Sequence, residues 1–227
     1  MRKLAKASRL VLHAPWRHAL FAHRVAASIE HAPLAGLIQP LTVLDVGANR
    51  GQFALWARSV WCDARVIAFE PLASEAEVFE RVLPDVTLHR VALGEASGNA
   101  TIHLSARRDS SSLLPIGPEQ IRIYQGTEEV GTVTVPVHRL DEIVEDTVSP
   151  TLLKIDVQGY ELWTLRGAKR LLADIAWVYV ECSTAELYVG QALRSELTSW
   201  LGKHGFSETA TISDRGVQAD VLFSRAM

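Results

Sequence analysis

The sequence predicts an α/β fold with a mostly parallel sheet, helices on both faces and an antiparallel hairpin at the C-terminal end. Strand-like and helix-like segments alternate from residue 41 onward, which is typical of a parallel sheet with helical crossovers. The last two strand-like segments are joined by the short turn SDRG (213–216), which favours antiparallel pairing. The chain has 227 residues, of which 48% are hydrophobic and 22% charged, so it can build a full core.

The first 40 residues are predicted to form a separate helical segment. Apolar residues recur at helical spacing over 1–38, as at Phe21, Val25 and Ile29, and Pro15 interrupts the pattern. Residues 1–30 carry six Lys or Arg and one acid. Three roles stay open for this segment: a lid over a cleft, a contact in a homo-oligomer, or a weak anchor to anionic membrane. A lid or packing role is favoured, because Pro15 and the scattered basic residues interrupt the single amphipathic face that a membrane anchor would need.

Residues 41–227 form the predicted main domain. Its internal strands are predicted at 41–47, 64–70, 86–93, 151–157 and 175–182, and its helices at 51–60, 74–83, 160–172 and 190–203. Ser74 and Glu77 have capping-box spacing at the start of the second helix. The strands 205–212 and 219–225 close the chain. A parallel sheet that ends in such a hairpin is the arrangement of Rossmann-like class I methyltransferases rather than of dinucleotide dehydrogenases.

An insertion is predicted at about 98–140. Its two ends, 98–106 and 131–140, alternate like exposed strands and are expected to pair as a hairpin. The polar loop 107–128 separates them. Within it, the stretch RRDSSSLLP (107–115) either binds an anionic or hydroxyl-rich acceptor or is an ordinary solvated loop.

The composition excludes several classes of function. The net charge of −3 argues against a nucleic-acid binder. Cys62 and Cys182 are far apart and lack metal-ligand spacing, so we expect a reducing compartment and no disulfide. No apolar run approaches the roughly 20 residues of a membrane span, and His13, Pro15 and Arg17 interrupt the apolar region that a signal peptide would need. We therefore expect a cytoplasmic protein without stable membrane insertion.

The turn in VLDVGANRGQF (43–53) is the first candidate ligand site, because ligands of open α/β sheets bind at the carboxyl ends of the strands. Asn49 stands where dinucleotide binding needs a glycine, and the P-loop Lys-Ser/Thr pair is missing, so a phosphate fits poorly. Asp45 would repel a phosphate but would suit the ammonium of S-adenosylmethionine, directly or through water. Backbone N–H groups at the helix start would take that ligand's carboxylate.

Glu70 ends the second predicted strand, where an acid accepts hydrogen bonds from ribose hydroxyls. Each of these residues also has a structural interpretation without a ligand. In that case the glycine turn is only a tight corner, Asp45 is a helix-capping acid and Glu70 is a solvated strand end.

Several segments resemble FkbM-type methyltransferases. They are VLDVGANRGQFA (43–54), VIAFEP (66–71), VALGEASGNATIHLS (91–105), SSSL (110–113), VTVPVHRLDEI (133–143) and LLKIDVQGYELWTLRGAKRLL (152–172). The resemblance extends from about residue 43 to about 206. It implies S-adenosylmethionine-dependent O-methylation of a small-molecule or glycan hydroxyl, as on sugars, polyketides and other secondary metabolites. The cofactor-binding residues that it implies are Asp45, Gly47, Ala48, Asn49, Gly51, Phe53, Glu70, Pro71, Ala92 and Asp156.

Methyl transfer to an alcohol benefits from a base that takes the hydroxyl proton. Asp156 and Glu181 end neighbouring predicted strands and are expected to point into the cleft, as base and substrate anchor. They are also the candidate ligands of a divalent metal, although two acids are a thin ligand set. Alternatively, Asp156 only caps the following helix. His138 is the alternative base. It stands just before the LD pair, where the family more often has a small hydroxyl or other polar residue. A lone His on such a strand is more often structural.

Two other functions stay open. A nucleotide-dependent oxidoreductase is disfavoured by Asn49 and by the closing hairpin. A non-catalytic methyltransferase-fold binding module is disfavoured because Asp45, Gly47 and Glu70 are all present.

Overall fold

The structure is a computed structural model that describes residues 12–225. The strands of this part of the chain are β1 (Thr42–Val46), β2 (Arg65–Phe69), β3 (Thr87–His89), β4 (Ala92–Leu93), β5 (Gly98–Ser105), β6 (Glu129–His138), β7 (Thr151–Ile155), β8 (Ile175–Ser183), β9 (Phe206–Asp214) and β10 (Gln218–Arg225). The α-helices are α1 (Ala14–His23), α2 (Gln52–Val60), α3 (Ala73–Val82), α4 (Pro118–Ile123), α5 (Leu140–Ile143), α6 (Glu161–Arg166) and α7 (Arg194–Lys203). Short 3₁₀ helices lie at Ile29–Gly36, Arg108–Ser110 and Leu171–Ala173.

The central sheet has seven strands in the order β3-β2-β1-β7-β8-β10-β9. The strands from β3 to β8 in that order run parallel, and β10 is antiparallel to both of its neighbours. The carboxyl ends of β2, β1 and β7 therefore meet at one edge of the sheet. The predicted α/β fold, with a mostly parallel sheet and a closing antiparallel hairpin, is confirmed.

Each face of the central sheet carries its own hydrophobic core. On one face, α6 and α7 bury leucines such as Leu165 and Leu197 against the sheet. On the other face, Trp56 of α2 and Phe79 of α3 pack with the fully buried Leu34 of the N-terminal segment. The parallel strands are covered on both sides, which explains why they read as continuous apolar runs.

The insertion forms a second sheet in the order β4-β6-β5. The segments predicted at 98–106 and 131–140 become β5 and β6, which pair antiparallel. The connection between them is less irregular than predicted, because it contains a 3₁₀ turn and α4. The single strand predicted at 86–93 is wrong. The Val91 N–H donates to the His89 carbonyl in a tight turn, and the chain passes there from the central sheet to the second sheet.

The N-terminal segment also departs from the prediction. Pro15 lies in the first turn of α1, as expected for a residue with a fixed φ and no N–H, and the chain bends at His13 just before it. α1 ends at His23 because Arg24 is in the left-handed region, with a φ of 57°. The predicted face of Phe21, Val25 and Ile29 therefore does not form, and Phe21 is 71% exposed. The helical pattern predicted before residue 12 lies outside the described residues.

Other helix boundaries shift for local reasons. The capping box of Ser74 and Glu77 does not form, because α3 begins at Ala73 with Leu72 as its N-cap. The helix predicted over 160–172 ends at Arg166 and is followed by a separate 3₁₀ turn. The helix predicted from 190 begins only at Arg194. No helix within residues 12–225 is long and apolar enough to cross a lipid bilayer.

Candidate functional site

A cleft of about 280 Å³ opens at the carboxyl ends of β1, β2 and β7. The ends of these three strands and the segments that follow them supply about half of its lining. The N-terminal segment, the end of β4 and the loop after β5 supply the rest. The lining includes Ala48, Asn49, Phe53, Glu70, Pro71, Ala92 and Asp156 from the predicted cofactor set. Gly47 also lines the cleft, whereas Asp45 and Gly51 do not.

The turn after β1 is held in a conformation that requires its glycines. Gly47, Asn49 and Gly51 all have positive φ, at 74°, 49° and 89°. A Cβ atom on Gly47 would lie 1.8 Å from the backbone oxygen of Asp156, so no side chain fits there. Gly51 is the N-cap of α2, which has no side-chain cap, so the first helical turn, where Gln52 and Phe53 line the cleft, keeps backbone N–H groups without a capping side chain.

Glu70 lies against this turn and is only 5% exposed. Its Oε2 accepts a hydrogen bond from the Asn49 N–H at 2.9 Å, and its Oε1 accepts one from the Leu72 N–H at 2.8 Å. Burial raises the pKa of Glu70 to about 7, although these two backbone donors oppose the shift. The residue is therefore an oriented carboxylate at the edge of the cleft rather than a solvated strand end.

Asp45 occupies a different place from the predicted one. It is fully buried within β1, and the ammonium that it meets is that of Lys154, at 3.0 Å from Oδ1. The two residues are register partners on the neighbouring strands β1 and β7. A residue enclosed in this way does not contact a ligand in the cleft, and the expected contact of Asp45 with a ligand ammonium is corrected accordingly. The helix-capping interpretation fails as well, since α2 has no side-chain cap.

Lys154 is a site residue that the sequence analysis missed. Its Nζ donates to the carbonyls of Gly47 at 3.0 Å and Val46 at 3.3 Å, besides its ion pair with Asp45. Burial lowers its pKa, but the charges of Asp45 and Asp156 outweigh burial, so the pKa is raised and the amine stays charged. These three oxygens use its three N–H donors. Lys154 therefore holds the turn after β1 in place.

Asp156 follows β7 and lines the cleft. Its Oδ1 accepts a hydrogen bond from Gln158 Nε2 at 2.7 Å, and the structure gives its other oxygen no hydrogen-bond partner within residues 12–225. It does not cap α6, since the carboxylate of Glu161 takes the N–H groups of that loop, at Val157 and Gly159. The capping interpretation is wrong, and Asp156 is free to face a ligand.

Glu181 does not share the cleft with Asp156. It lies inside β8, outside the cleft lining, and accepts hydrogen bonds from Gln158, Gln218 and Arg215. Burial and the nearby Asp156 raise the pKa of Glu181 well above its usual range, and Arg215 opposes this shift. The prediction that both carboxylates point into the cleft is therefore wrong. Gln158 Nε2 stands between them and donates to each.

No group of three His, Cys, Asp or Glu side chains within residues 12–225 is arranged to hold a metal ion. Asp156 and Glu181, the candidate metal pair, thus gain no third ligand from this part of the chain. His138 closes β6 in the second sheet and does not line the cleft. The structure does not bring it to the place where a base would be needed.

Two further segments complete the cleft walls. The loop after β5 contributes Arg108, Asp109, Ser111, Ser112 and Leu113, and its Ser112 hydroxyl donates to the Gln158 carbonyl. The N-terminal segment contributes Ala26, Ala27, Ser28, Glu30 and His31. The sequence carried no motif that singled out His31, since its place depends on how the segment folds back over the sheet.

Comparisons with known proteins identify the family of the chain. The family profile described as "Methyltransferase FkbM domain" matches residues 45–208 of this chain. The chain is similar to the 2-O-methyltransferase NoeI of Sinorhizobium fredii, with 28% identity over 79% of this chain and 77% of NoeI. It is also similar to the methyltransferase sdnD of Sordaria araneosa, with 25% identity over 80% of this chain and 78% of sdnD.

Two other relatives cover less of their own length. The hexuronic acid methyltransferase AglP of Haloferax volcanii is 30% identical over 60% of this chain and 54% of AglP. Among solved structures, TehB of Haemophilus influenzae has a TM-score of 0.54 and 7% identity, over 92% of this chain and 66% of TehB, which supports the fold alone. The family profile spans most of the chain, including the turn, Glu70 and Asp156. The chain belongs to the methyltransferase FkbM domain family.

Proposed function

We propose that this methyltransferase uses S-adenosylmethionine to methylate a hydroxyl group of a small molecule or a glycan. One observation carries the proposal. The carboxylates of Glu70 and Asp156 line the same cleft, after β2 and β7, the two strands that flank β1 and its turn. In this proposal one acid holds the nucleoside, and the other, across the turn, faces the acceptor.

The cleft fits the donor by its hydrogen-bonding groups. Each oxygen of Glu70 accepts one backbone hydrogen bond and retains a second lone pair for a ribose hydroxyl. Asn49 stands where a pyrophosphate would need a glycine, and the uncapped start of α2 suits the carboxylate of an amino-acid end. The bound donor would supply an electrophilic methyl group on a sulfonium.

Asp156 is the candidate base. Gln158 fixes its Oδ1, and the free oxygen can accept the proton of an acceptor hydroxyl as that oxygen attacks. Gln158 is itself held, since its Oε1 lies 2.8 Å from the Tyr188 hydroxyl and its Nε2 also donates to Glu181. In this arrangement Glu181 keeps Gln158, and through it Asp156, in position.

The acceptor class is supported by the relatives and by the cleft wall. NoeI is named a 2-O-methyltransferase and AglP a hexuronic acid methyltransferase, which favours a sugar hydroxyl. Arg108, Asp109 and Ser111 give the outer wall polar groups that suit a hydroxyl-rich acceptor. A polyketide or another secondary-metabolite hydroxyl is the second candidate, from the family resemblance.

Turnover with Asp156→Asn tests the proposal. Purified protein is incubated with S-adenosylmethionine and a panel of sugars and polyketides, and S-adenosylhomocysteine formation is measured. Asp156→Asn should lower kcat by about 10²–10⁴-fold, as for loss of a general base, and should leave S-adenosylhomocysteine affinity within about threefold of wild type.

The matched control is Asp63→Asn, an exposed acid outside the cleft, which should keep full turnover. Full activity of Asp156→Asn would show that positioning alone drives the reaction. Absence of turnover with every acceptor, in a protein that binds the donor, would favour a binding module.

A further inference from the structure

His31 is a fixed part of the cleft wall. It belongs to the 3₁₀ helix Ile29–Gly36 and lines the cleft beside the turn. Its ring packs edge-on against Phe53, in the first turn of α2, with the ring centroids 5.2 Å apart. The neighbouring Leu34 is fully buried in the core, so the segment that carries His31 is anchored.

The hydrogen bond to Tyr179 determines which nitrogen of His31 carries the proton. Nδ1 lies 2.7 Å from the Tyr179 hydroxyl, and Tyr179 is only 2% exposed. Within residues 12–225 this is the hydroxyl's one hydrogen-bond partner, and a buried hydroxyl donates to the partner it has. Burial raises the pKa of Tyr179 and lowers the pKa of His31, so the phenol keeps its proton and the neutral imidazole is favoured. Nδ1 is then the acceptor, and Nε2 bears the hydrogen.

The Nε2–H group is available to a ligand. Within residues 12–225 the ring makes its hydrogen bond through Nδ1, which leaves Nε2 without one, and the ring lines the cleft. The uncapped N-terminus of α2 adjoins the ring through Phe53, and Lys154 is close enough to act on the pKa of His31. The helix N-terminus favours a negatively charged ligand group at this point. Lys154 acts on His31 in the same sense, whereas Asp220, Glu30 and Asp156 act in the opposite sense.

The acids near His31 decide what kind of anion fits. Glu30 and Asp156 also line the cleft and act on the pKa of His31, so an isolated anion would meet opposing charge. An amino-acid end carries its own ammonium beside its carboxylate, so it has no net charge and meets less repulsion from these acids. A simple phosphate or acetate has no such compensating charge.

The sheet order sets the direction in which a bound donor extends. Glu70 follows β2 on one side of β1, whereas Tyr179 lies in β8 on the other side. A donor whose ribose meets Glu70 therefore crosses the turn toward His31. On the basis of the proposed function, we infer that His31 binds the carboxylate of the donor's amino-acid end through Nε2–H. Residues 26–31 then complete the donor site.

Calorimetry with two ligands tests this inference. S-adenosylhomocysteine has the amino-acid end, whereas 5′-methylthioadenosine keeps the nucleoside and the thioether but lacks that end. His31→Ala should weaken S-adenosylhomocysteine about 10-fold or more, as for loss of a hydrogen bond to a charged group. It should leave 5′-methylthioadenosine affinity unchanged. His31→Gln, which retains an N–H donor, should recover part of the loss.

His23→Ala is the matched control, since His23 is a histidine of the same segment outside the cleft, and it should change neither affinity. If His31→Ala weakened the affinity for both ligands equally, the ring would only support the structure of the cleft, and the inference would be overturned. Unchanged affinity for both ligands would overturn it as well. A wild-type protein that does not bind S-adenosylhomocysteine would overturn the proposed function, and this inference with it.

Discussion

At the residue scale, Glu70 predicts a pH dependence of donor binding. Burial raises its pKa to about 7 in the free protein. In the proposed function, ribose hydroxyls donate to this carboxylate, and protonation would remove an acceptor site, so binding should favour the ionised form. S-adenosylhomocysteine affinity, measured by calorimetry, should therefore fall about 10-fold between pH 8 and pH 6. A group with a pKa near 7 is about 10-fold less ionised at pH 6 than at pH 8.

Glu70→Gln is the control for this effect. It keeps the shape of the side chain but has no proton to gain, so its weaker affinity should vary little over the same pH range. An equally steep dependence in Glu70→Gln would assign the titration to another group.

The sequence predicted the residues at strand ends better than those inside strands. Glu70 and Asp156 were identified because acids after apolar strands reach the ligand edge of a parallel sheet. Asp45 was placed incorrectly because its partner, Lys154, comes from a segment about a hundred positions away, and the pairing depends on strand register. A charged residue within LLKIDV was the available signal, since a lysine inside a buried strand needs a partner.

At the element scale, the turn between β1 and α2 predicts a large cost for Gly47→Ala. The new Cβ would overlap the Asp156 carbonyl, and the positive φ strains any other residue. We expect the free energy of unfolding in urea to fall by at least about 2 kcal/mol.

Gly36→Ala is the comparison, because a Cβ there meets no atom within 4 Å. It should change the free energy of unfolding by less than about 0.5 kcal/mol. Equal stability of the two variants would mean that the turn relaxes and that its geometry is not fixed.

At the scale of the whole molecule, the N-terminal segment is part of the core. Leu34 is fully buried against the central sheet, while Leu37, in the flank of the same 3₁₀ helix, is 51% exposed. Leu34→Ala should lower the free energy of unfolding by about 2–5 kcal/mol, as for other buried leucines, in a single urea transition. Leu37→Ala should cost less than about 0.5 kcal/mol. Similar small effects from both would mean that the segment is only loosely attached.

The overall topology could be predicted from the sequence because buried parallel strands leave apolar runs between helical patterns. The division of 86–93 between two sheets could not be predicted, since the turn at residues 89–91 redirects the chain without a glycine or proline. The path of residues 24–38 over the sheet could not be predicted either, because it depends on tertiary packing rather than on helical periodicity.

Calorimetric titration with S-adenosylhomocysteine, run beside NADH on wild type and Glu70→Ala, distinguishes a methyl donor from a dinucleotide in this cleft. We expect micromolar binding of S-adenosylhomocysteine that is lost in Glu70→Ala, and no binding of NADH. Unchanged affinity in Glu70→Ala, or binding of NADH in place of S-adenosylhomocysteine, would contradict this expectation.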